Sequence, residues 1–320
     1  MHLTGLHHVS ALTANAPRNV DFYTRLLGMR LVKKTVNQDN PTSYHLFYGD
    51  ELGRPGTEFT FFDIPHMAPT RPGVSSISRT ALRVRGRHAL DFWHERLSEN
   101  DVGVDPISQE GQRAVLAFRD FEGQRVALVD DEGAPLPGGT PWENSSVPQD
   151  EGIRGLASVT LTVVHAAPTV RLLTEVMGFH EQERYPAAAP DREIVIYATG
   201  QGGPGAEIHL DERPDLGVRE RLGRGGVHHV AFRVPDHEQH EAWLQRLADA
   251  GVRNSGAVDR YYFRSIYFRE PNGILFELAT DGPGFATDED EEHLGQTLAL
   301  PPFLEPQRAR IEAALQPLET

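Results

Sequence analysis

Four stretches of the chain alternate apolar and polar residues with a period of two, the mark of strands with one buried face. They run over residues 6–13, 78–84, 156–163 and 228–234. Each is followed by apolar residues at helical spacing. Phe22, Tyr23, Leu26 and Leu27 share one face of a helix predicted over 17–27, and Leu90, Phe92, Trp93 and Leu97 do the same over 88–100. Further helices are predicted over 168–177 and 235–250. Pro17 and Pro168 suit a first helical turn, and Gly28, Gly178 and Gly251 suit a C-terminal stop. Strands then follow at 30–36, 44–48 and 57–62, at 114–118 and 125–129, at 193–198 and 206–210, and at 261–268 and 273–278. The order strand, helix, group of strands thus occurs four times, which is an internal repeat.

One such unit cannot close a core alone. Two side by side make an eight-stranded curved sheet with a cleft. The expected class is therefore α+β, with four βαβββ modules forming two cupped mixed β-sheet barrels. The expected boundaries are module 1 at 1–68, module 2 at 75–135, a linker at 136–151, module 3 at 152–214 and module 4 at 225–284. Pro135, Pro137, Gly138, Gly139 and Pro141 mark the linker. An acidic tail fills 285–320 and ends in a helix near 305–315. Its run from Asp288 to Glu292 reads as solvated surface.

Composition narrows the chemistry. The 320 residues carry a net charge of -15, which argues against a nucleic-acid partner, since phosphate binding needs a basic face. There are no cysteines, so disulfides, thiolate catalysis, Cys-ligated zinc and iron–sulfur clusters are excluded. With no apolar run long enough to span a bilayer and no basic, apolar leader, a cytoplasmic protein without membrane partners is expected. Lys33 and Lys34 are the only lysines. Any transition-metal site must use imidazole and carboxylate, and the 15 histidines fall partly in pairs.

Units one and four open alike, with Gly5-Leu6-His7-His8-Val9 and Gly226-Val227-His228-His229-Val230. The last strand of unit four carries Glu277 among apolar neighbours. A carboxylate there is costly to bury unless it is paired or bound to a metal. Two histidines and one carboxylate on strands suit an Fe(II) site with open positions, and the same donors serve Mn(II).

This repeat resembles the vicinal oxygen chelate superfamily, which includes glyoxalase I, fosfomycin-resistance proteins and extradiol ring-cleaving dioxygenases. The resemblance implies metal ligands on the first and last strands of each unit. At the first-strand position units one and four have His8 and His229, unit three has Ser158, and unit two has Arg79 or Thr80. Four residues beyond a glycine in the last strand stand Glu277, Thr60 and His209, while unit two offers Val129 or a neighbour. Only units one and four together hold a complete set. The metal cleft is therefore expected in the module 1/module 4 pair, so the two ends of the chain must meet.

Further motifs are similar to the hydroquinone ring-cleaving dioxygenases of that superfamily. They are Tyr44-His45-Leu46 leading into Asp50 to Thr57, Asp259-Arg260 before Tyr267, and Phe285 to Glu291 in the tail. The resemblance implies a non-haem Fe(II) extradiol-type dioxygenase acting on a small hydroquinone- or catechol-type diphenol with O2. It implies His8, His229 and Glu277 as metal ligands. His228 would assist proton transfer, and Arg260 and Tyr267 would serve both catalysis and substrate binding. His45 and His7 complete the expected substrate-binding set, although strand alternation turns His7 and His228 to the face opposite the ligands. His209 reads as structural. Phe61, Phe263 and Tyr261 suit either an apolar pocket or simple core, and His165, His237 and His240 suit helix starts or exposed faces. Two other readings stay open: a glyoxalase-like metal isomerase or lyase, for which Glu58 is a fourth ligand, and a non-catalytic quinone- or drug-binding protein. Whether the chain acts alone or as a homo-oligomer is not legible.

Overall fold

The structure, a computed structural model, describes residues 1–189 and 191–318. Unit one comprises β1 (Leu6–Thr13), α1 (Ala16–Val20) running on into a π-helical turn (Asp21–Leu26), β2 (Arg30–Asn37), β3 (Asn40–Gly49) and β4 (Glu58–Asp63). Unit two comprises β5 (Ser76–Val84), α2 (Gly86–Glu99), β6 (Ser108–Glu110), β7 (Arg113–Arg119) and β8 (Arg125–Asp130). Unit three comprises β9 (Leu156–Val163), α3 (Ala166–Arg171) with a π-helical turn (Leu172–Val176), β10 (His180–Pro186), β11 (Glu193–Ala198) and β12 (Glu207–Glu212). Unit four comprises β13 (Val227–Val234), α4 (His237–Asp249), β14 (Val258–Asp259), β15 (Arg264–Arg269) and β16 (Leu275–Thr280), and the tail carries α5 (Arg308–Ala314).

Where these elements depart from the sequence reading, the cause is local. Both proline-started helices widen in their last turn, where the N–H of Leu27 reaches the carbonyl of Phe22 and that of Met177 reaches Leu172. The helix expected from 235 starts at His237 because the Asp236 carboxylate accepts from the N–H of Gln239 and caps it. Strands β6, β10 and β14 escaped the pattern because each lies at a sheet edge and is short or polar. The strand expected from 261 begins only at Arg264, since Tyr261 takes a left-handed φ of 70°.

The strands form two eight-stranded sheets, ordered β14-β15-β16-β13-β1-β4-β3-β2 and β10-β11-β12-β9-β5-β8-β7-β6. Within a unit the first and last strands run parallel, as in His8 beside Glu58 and Ala231 beside Glu277. Between units the first strands pair antiparallel: β1 meets β13 with Ser10 opposite His229, and β5 meets β9. Units one and four thus share one curled sheet, and units two and three share the other.

Period-two alternation divides each sheet. Val9, Ala11, Val230, Phe232, Phe276 and Leu278 face outward into one continuous core with the helices. His8, Ser10, His229, Ala231, Glu277 and Ala279 face the concave interior. All eight residues of β1 are buried, because both of its faces are covered. The segments joining units one to two and three to four cross beside the open end of the first sheet, where the N–H of Thr70 donates to the carbonyl of Arg224 at 3.0 Å. The tail lies along edge strand β2, where the N–H of Ala299 donates to the carbonyl of Lys34 at 2.9 Å. Its acidic run is not simply solvated surface: Asp288 and Glu289 pair with the buried Lys33. No described helix is long and apolar enough to cross a membrane.

Candidate metal centre and cleft

Two β-bulges build the site. Leu6 faces Phe232 while Val9 faces Val230, so one extra residue sits in β1 at the His7-His8 pair. Ser10 faces His229 while Ala11 faces Val227, so the extra residue in β13 is His228. A bulge re-aims side chains that simple alternation sends apart. In each pair the two rings therefore meet, with Nδ1 of His8 3.0 Å from Nδ1 of His7 and Nδ1 of His229 2.8 Å from Nδ1 of His228. The opposite-face expectation for His7 and His228 fails for this reason.

These contacts turn the Nε2 atoms of His8 and His229 towards one point, 3.2 Å apart. Glu277 Oε2 completes a triangle, 3.2 Å from His8 and 2.9 Å from His229. Its other oxygen, Oε1, accepts from the hydroxyl of the buried Ser265 on β15 at 2.5 Å. Oε2 itself is buried and accepts no well-directed hydrogen bond. Three cis ligands with bonds of about 2.1 Å are separated by about 3.0 Å in an octahedral face and about 3.4 Å in a tetrahedron. Two observed edges, at 3.2 Å, lie midway between these values, and the third, at 2.9 Å, matches the octahedral face. An orphaned carboxylate oxygen facing two imidazole nitrogens fits a divalent cation between them. Burial pushes Glu277 up, but the adjacent His8 and His229 rings outweigh it and hold the carboxyl well below its usual range. Burial also lowers His229.

The outer contacts fit one tautomer per ring. With Nε2 free for a metal, His8 carries its proton on Nδ1 and donates to His7 Nδ1. His7 then donates from Nε2 to the carbonyl of Thr280 at 3.1 Å. Metal-bound imidazoles are commonly fixed through the other nitrogen in this way. His7 is buried behind His8 and does not line the cleft. By the same logic His229 donates to His228, whose proton then lies on Nε2. His228 lines the cleft with its ring against Phe62. Burial, then His229, pushes His228 down to about 3.

The cleft has a volume of about 500 Å³. One wall is polar: the guanidinium of Arg260 donates from Nε to the Tyr267 hydroxyl at 3.1 Å and from Nη1 and Nη2 to Asp39 at 3.1 and 2.9 Å. Tyr267 lies edge-on to His229, with ring centres 5.9 Å apart. His45 is packed between Phe47 and Phe62 and bonded through Nε2 to the Thr60 hydroxyl at 2.9 Å. Burial, then His8, pushes His45 well below its ordinary value. Leu12, Ile64, Met67 and Leu222 form the apolar mouth, the last two coming from the crossing segments. Phe263 lines the cleft with its ring centre 5.1 Å from that of His8, whereas Phe61 belongs to the outer core.

Thr60 occupies the Glu277 position of unit one and bonds Ser10 and His45. Glu58 groups with His7 and His8 and not with His229 and Glu277. Burial, then Asp50, pushes its carboxyl well above the usual range. In the second sheet the register puts Arg79, Ser158 and His209 at the equivalent positions, and Ala127 where the sequence reading offered Val129. Arg79 there binds Glu110 bidentately at 2.7 and 2.5 Å, and Tyr185 bridges Glu110 and His209. A guanidinium supplies positive charge where the first sheet has room for a cation. His240, expected at a helix start or an exposed face, lies in the first turn of α4 on its buried side.

Sequence reasoning missed Ser265, Asp39 and Gln38. Ser265 and Glu277 lie on neighbouring antiparallel strands, and only the register brings them together. Asp39 and Gln38 sit in the β2–β3 turn, over two hundred positions from Arg260.

The Glyoxalase/Bleomycin resistance protein/Dioxygenase superfamily model matches residues 5–128 and 155–278. MhqA of Bacillus subtilis (strain 168), classed by name among ring-cleaving dioxygenases, is 53% identical over 320 residues and 100% of both chains. A chlorohydroquinone/hydroquinone 1,2-dioxygenase of Sphingobium indicum is 32% identical over 94% of this chain and 92% of its own. The crystal structure of a protein assigned as a dioxygenase from Bacillus subtilis subsp. subtilis str. 168 superposes with a TM-score of 0.89 at 36% identity, covering 99% of this chain and 98% of its own. Glyoxalase I from Zea mays shares the fold, with a TM-score of 0.62 at 14% identity over 87% of this chain and 92% of its own. Matched in both halves, and built from paired units that each place a first strand beside a last one, this chain belongs to the Glyoxalase/Bleomycin resistance protein/Dioxygenase superfamily.

Proposed function

We propose that this chain is a ring-cleaving dioxygenase that opens diphenols of the hydroquinone or catechol type with O2, using Fe(II), with Mn(II) served by the same donors. The observation that carries the reading is the convergence of His8, His229 and the buried Glu277, with the two histidines lining a largely apolar cleft. The names of the relatives point to the same chemistry, chlorohydroquinone and hydroquinone among them. Units 1–68 and 225–284 carry the site, and units 75–135 and 152–214 act as its scaffold.

In this reading His8, His229 and Glu277 hold the metal, whose chemistry is to bring diphenolate and O2 together and pass electron density between them. Arg260 and Tyr267 present a cation and a hydroxyl beside the site. A cation there favours the ionised form of a diphenol hydroxyl. Asp39 fixes the outer edge of the guanidinium and so sets its direction. His228 presents its Nε2–H as a hydrogen-bond donor to an oxygen of the bound diphenol, its Nδ1 being engaged by His229. His45, wedged between two phenyl rings, forms a flat wall for an aromatic ring. Leu12, Ile64, Met67 and Leu222 limit water at the mouth.

A glyoxalase-type isomerase is expected to draw a fourth protein ligand, and Glu58 turns to His7 instead. The test is anaerobic loading with Fe(II), followed by oxygen uptake with hydroquinone and catechol. One O2 consumed per ring opened is expected, with both metal and uptake lost in His229→Ala. Stoichiometric iron without uptake on any para- or ortho-diphenol overturns the reading.

A further inference from the structure

Lys33 is fully buried on β2. A buried ammonium persists only where its charge is compensated. The compensation comes from the far end of the chain: Lys33 Nζ donates to Asp288 Oδ1 at 2.7 Å, to the carbonyl of Phe285 at 3.0 Å and to the carboxylate of Glu289. Asp288 is shared. Its Oδ2 accepts from the hydroxyl of Tyr262 at 2.9 Å, and the ammonium lies 4.8 Å from the centre of the Tyr262 ring. The N–H of Gly284 donates to the carbonyl of Tyr262 at 2.8 Å. Phe285 and Leu294 from the tail pack with Val32, Phe47, Tyr262 and Phe263 in a separate apolar cluster.

Tyr262 belongs to the turn that builds one wall of the cleft, Arg260, Tyr262 and Phe263 all lining it. The turn bonds itself through two short links, the N–H of Arg260 to the carbonyl of Phe263 and that of Tyr262 to the carbonyl of Arg260, both at 2.9 Å. Within it Tyr261 holds a left-handed φ of 70°, a conformation that costs energy and calls for support from its surroundings. Gln38 grips the carbonyl of Arg260 from the β2–β3 turn at 2.7 Å. On the other side the grip comes from the tail.

We propose that Asp288, anchored by the buried Lys33, is a positioning residue: held against the Tyr262 hydroxyl, it locks the Arg260–Phe263 wall and makes the C-terminal segment a working part of the cleft. The inference rests on the function proposed above for its kinetic readout, not for its structural one. Residues 285–289 then act as a clamp placed outside the substrate site. Neutralising the clamp loosens substrate binding without touching the metal ligands.

The test compares the full-length, Fe(II)-loaded protein with Tyr262→Phe, Asp288→Asn and the double variant. Tyr262→Phe removes a single hydroxyl and keeps the ring in its cluster, so it guards against loss of folding. KM for hydroquinone is expected to rise about tenfold with kcat within about twofold, the signature of lost binding that is equal in ground and transition states. The double variant should be little worse than either single one, because all three break the same link. Amide hydrogen exchange at 260–263 should accelerate while β1 and β13 keep their protection. That exchange pattern stands even if the wild type proves inactive on diphenols, so failure of the proposed function and failure of the clamp are distinguishable. Unchanged exchange at 260–263 in both single variants, or equal acceleration throughout β1 and β13, overturns the proposal.

Discussion

Ser265→Ala tests whether the carboxylate of Glu277 is pre-aimed. The Ser265 hydroxyl donates to Oε1 at 2.5 Å in a fully buried setting, which leaves Oε2 as the oxygen facing His8 and His229. Hydrogen bonds to a charged partner are worth about 1.5–3 kcal/mol. At about 1.4 kcal/mol per factor of ten, losing this one corresponds to roughly 10–150-fold. Residues that orient metal ligands alter affinity by about 10–100-fold when replaced, which agrees. The substitution leaves only a small void, so packing contributes little. Without the hydroxyl the carboxylate rotates about its last torsion, and metal binding must re-fix it. The assay is anaerobic titration of apoprotein with Fe(II) or Mn(II) against a chelator of known affinity. Ser265→Cys, which keeps the volume with a weaker donor, should fall between. An affinity within about twofold of wild type refutes the argument that Ser265 sets the carboxylate.

Two further outcomes follow from particular contacts. Arg260→Met removes the donors to Tyr267 and Asp39, and kcat/KM for hydroquinone should fall about 10–100-fold while bound metal stays stoichiometric, measured by oxygen uptake and metal analysis. Asp120 lies almost fully buried under the Tyr23 hydroxyl, and burial, partly offset by the N–H groups of Gln124 and Glu122, raises its carboxyl to about 6. Its folded state therefore holds a proton more tightly than the unfolded chain, so its contribution is complete below about pH 4 and is lost as pH rises to about 6. The loss is about 3 kcal/mol for a shift of about two units. Urea unfolding at pH 4.5 and 7.0 should show this slope reduced in Asp120→Asn, and an unchanged slope counts against burial as its origin.

Much of the fold was legible because period-two and period-3.6 patterns report which face is buried. The first strands of all four units, α2 and the glycine stops all read correctly. The edge strands β6, β10 and β14 did not, because an edge strand needs no continuous apolar face and carries polar residues against pairing. The π-helical turns were invisible because one extra residue in a turn hardly disturbs an apolar stripe. The acidic run was misjudged in its first two residues only: Asp290, Glu291 and Glu292 are exposed as expected, but charge alone does not say whether a cation is waiting, and Lys33, which pairs with Asp288 and Glu289, stands more than two hundred and fifty positions away.

At the candidate metal centre the division is sharper. The doubled histidines, Glu277 and the lack of cysteine limited by themselves which donors such a site could offer, since residue type limits what can bind. Comparison among the four units then singled out the first and fourth as partners. Tertiary structure decided everything that depends on direction. Bulges turned His7 and His228 onto the ring nitrogens of their neighbours, against the alternation a linear reading must assume. Register set Ser265 beneath Glu277, Ala127 in the empty position of unit two, and Glu58 away from the triad. The physical reason is that a sequence encodes which groups are present and which faces are buried. The aim of a side chain, by contrast, is fixed by hydrogen-bond register between strands far apart in the chain, where one inserted residue reverses the outcome.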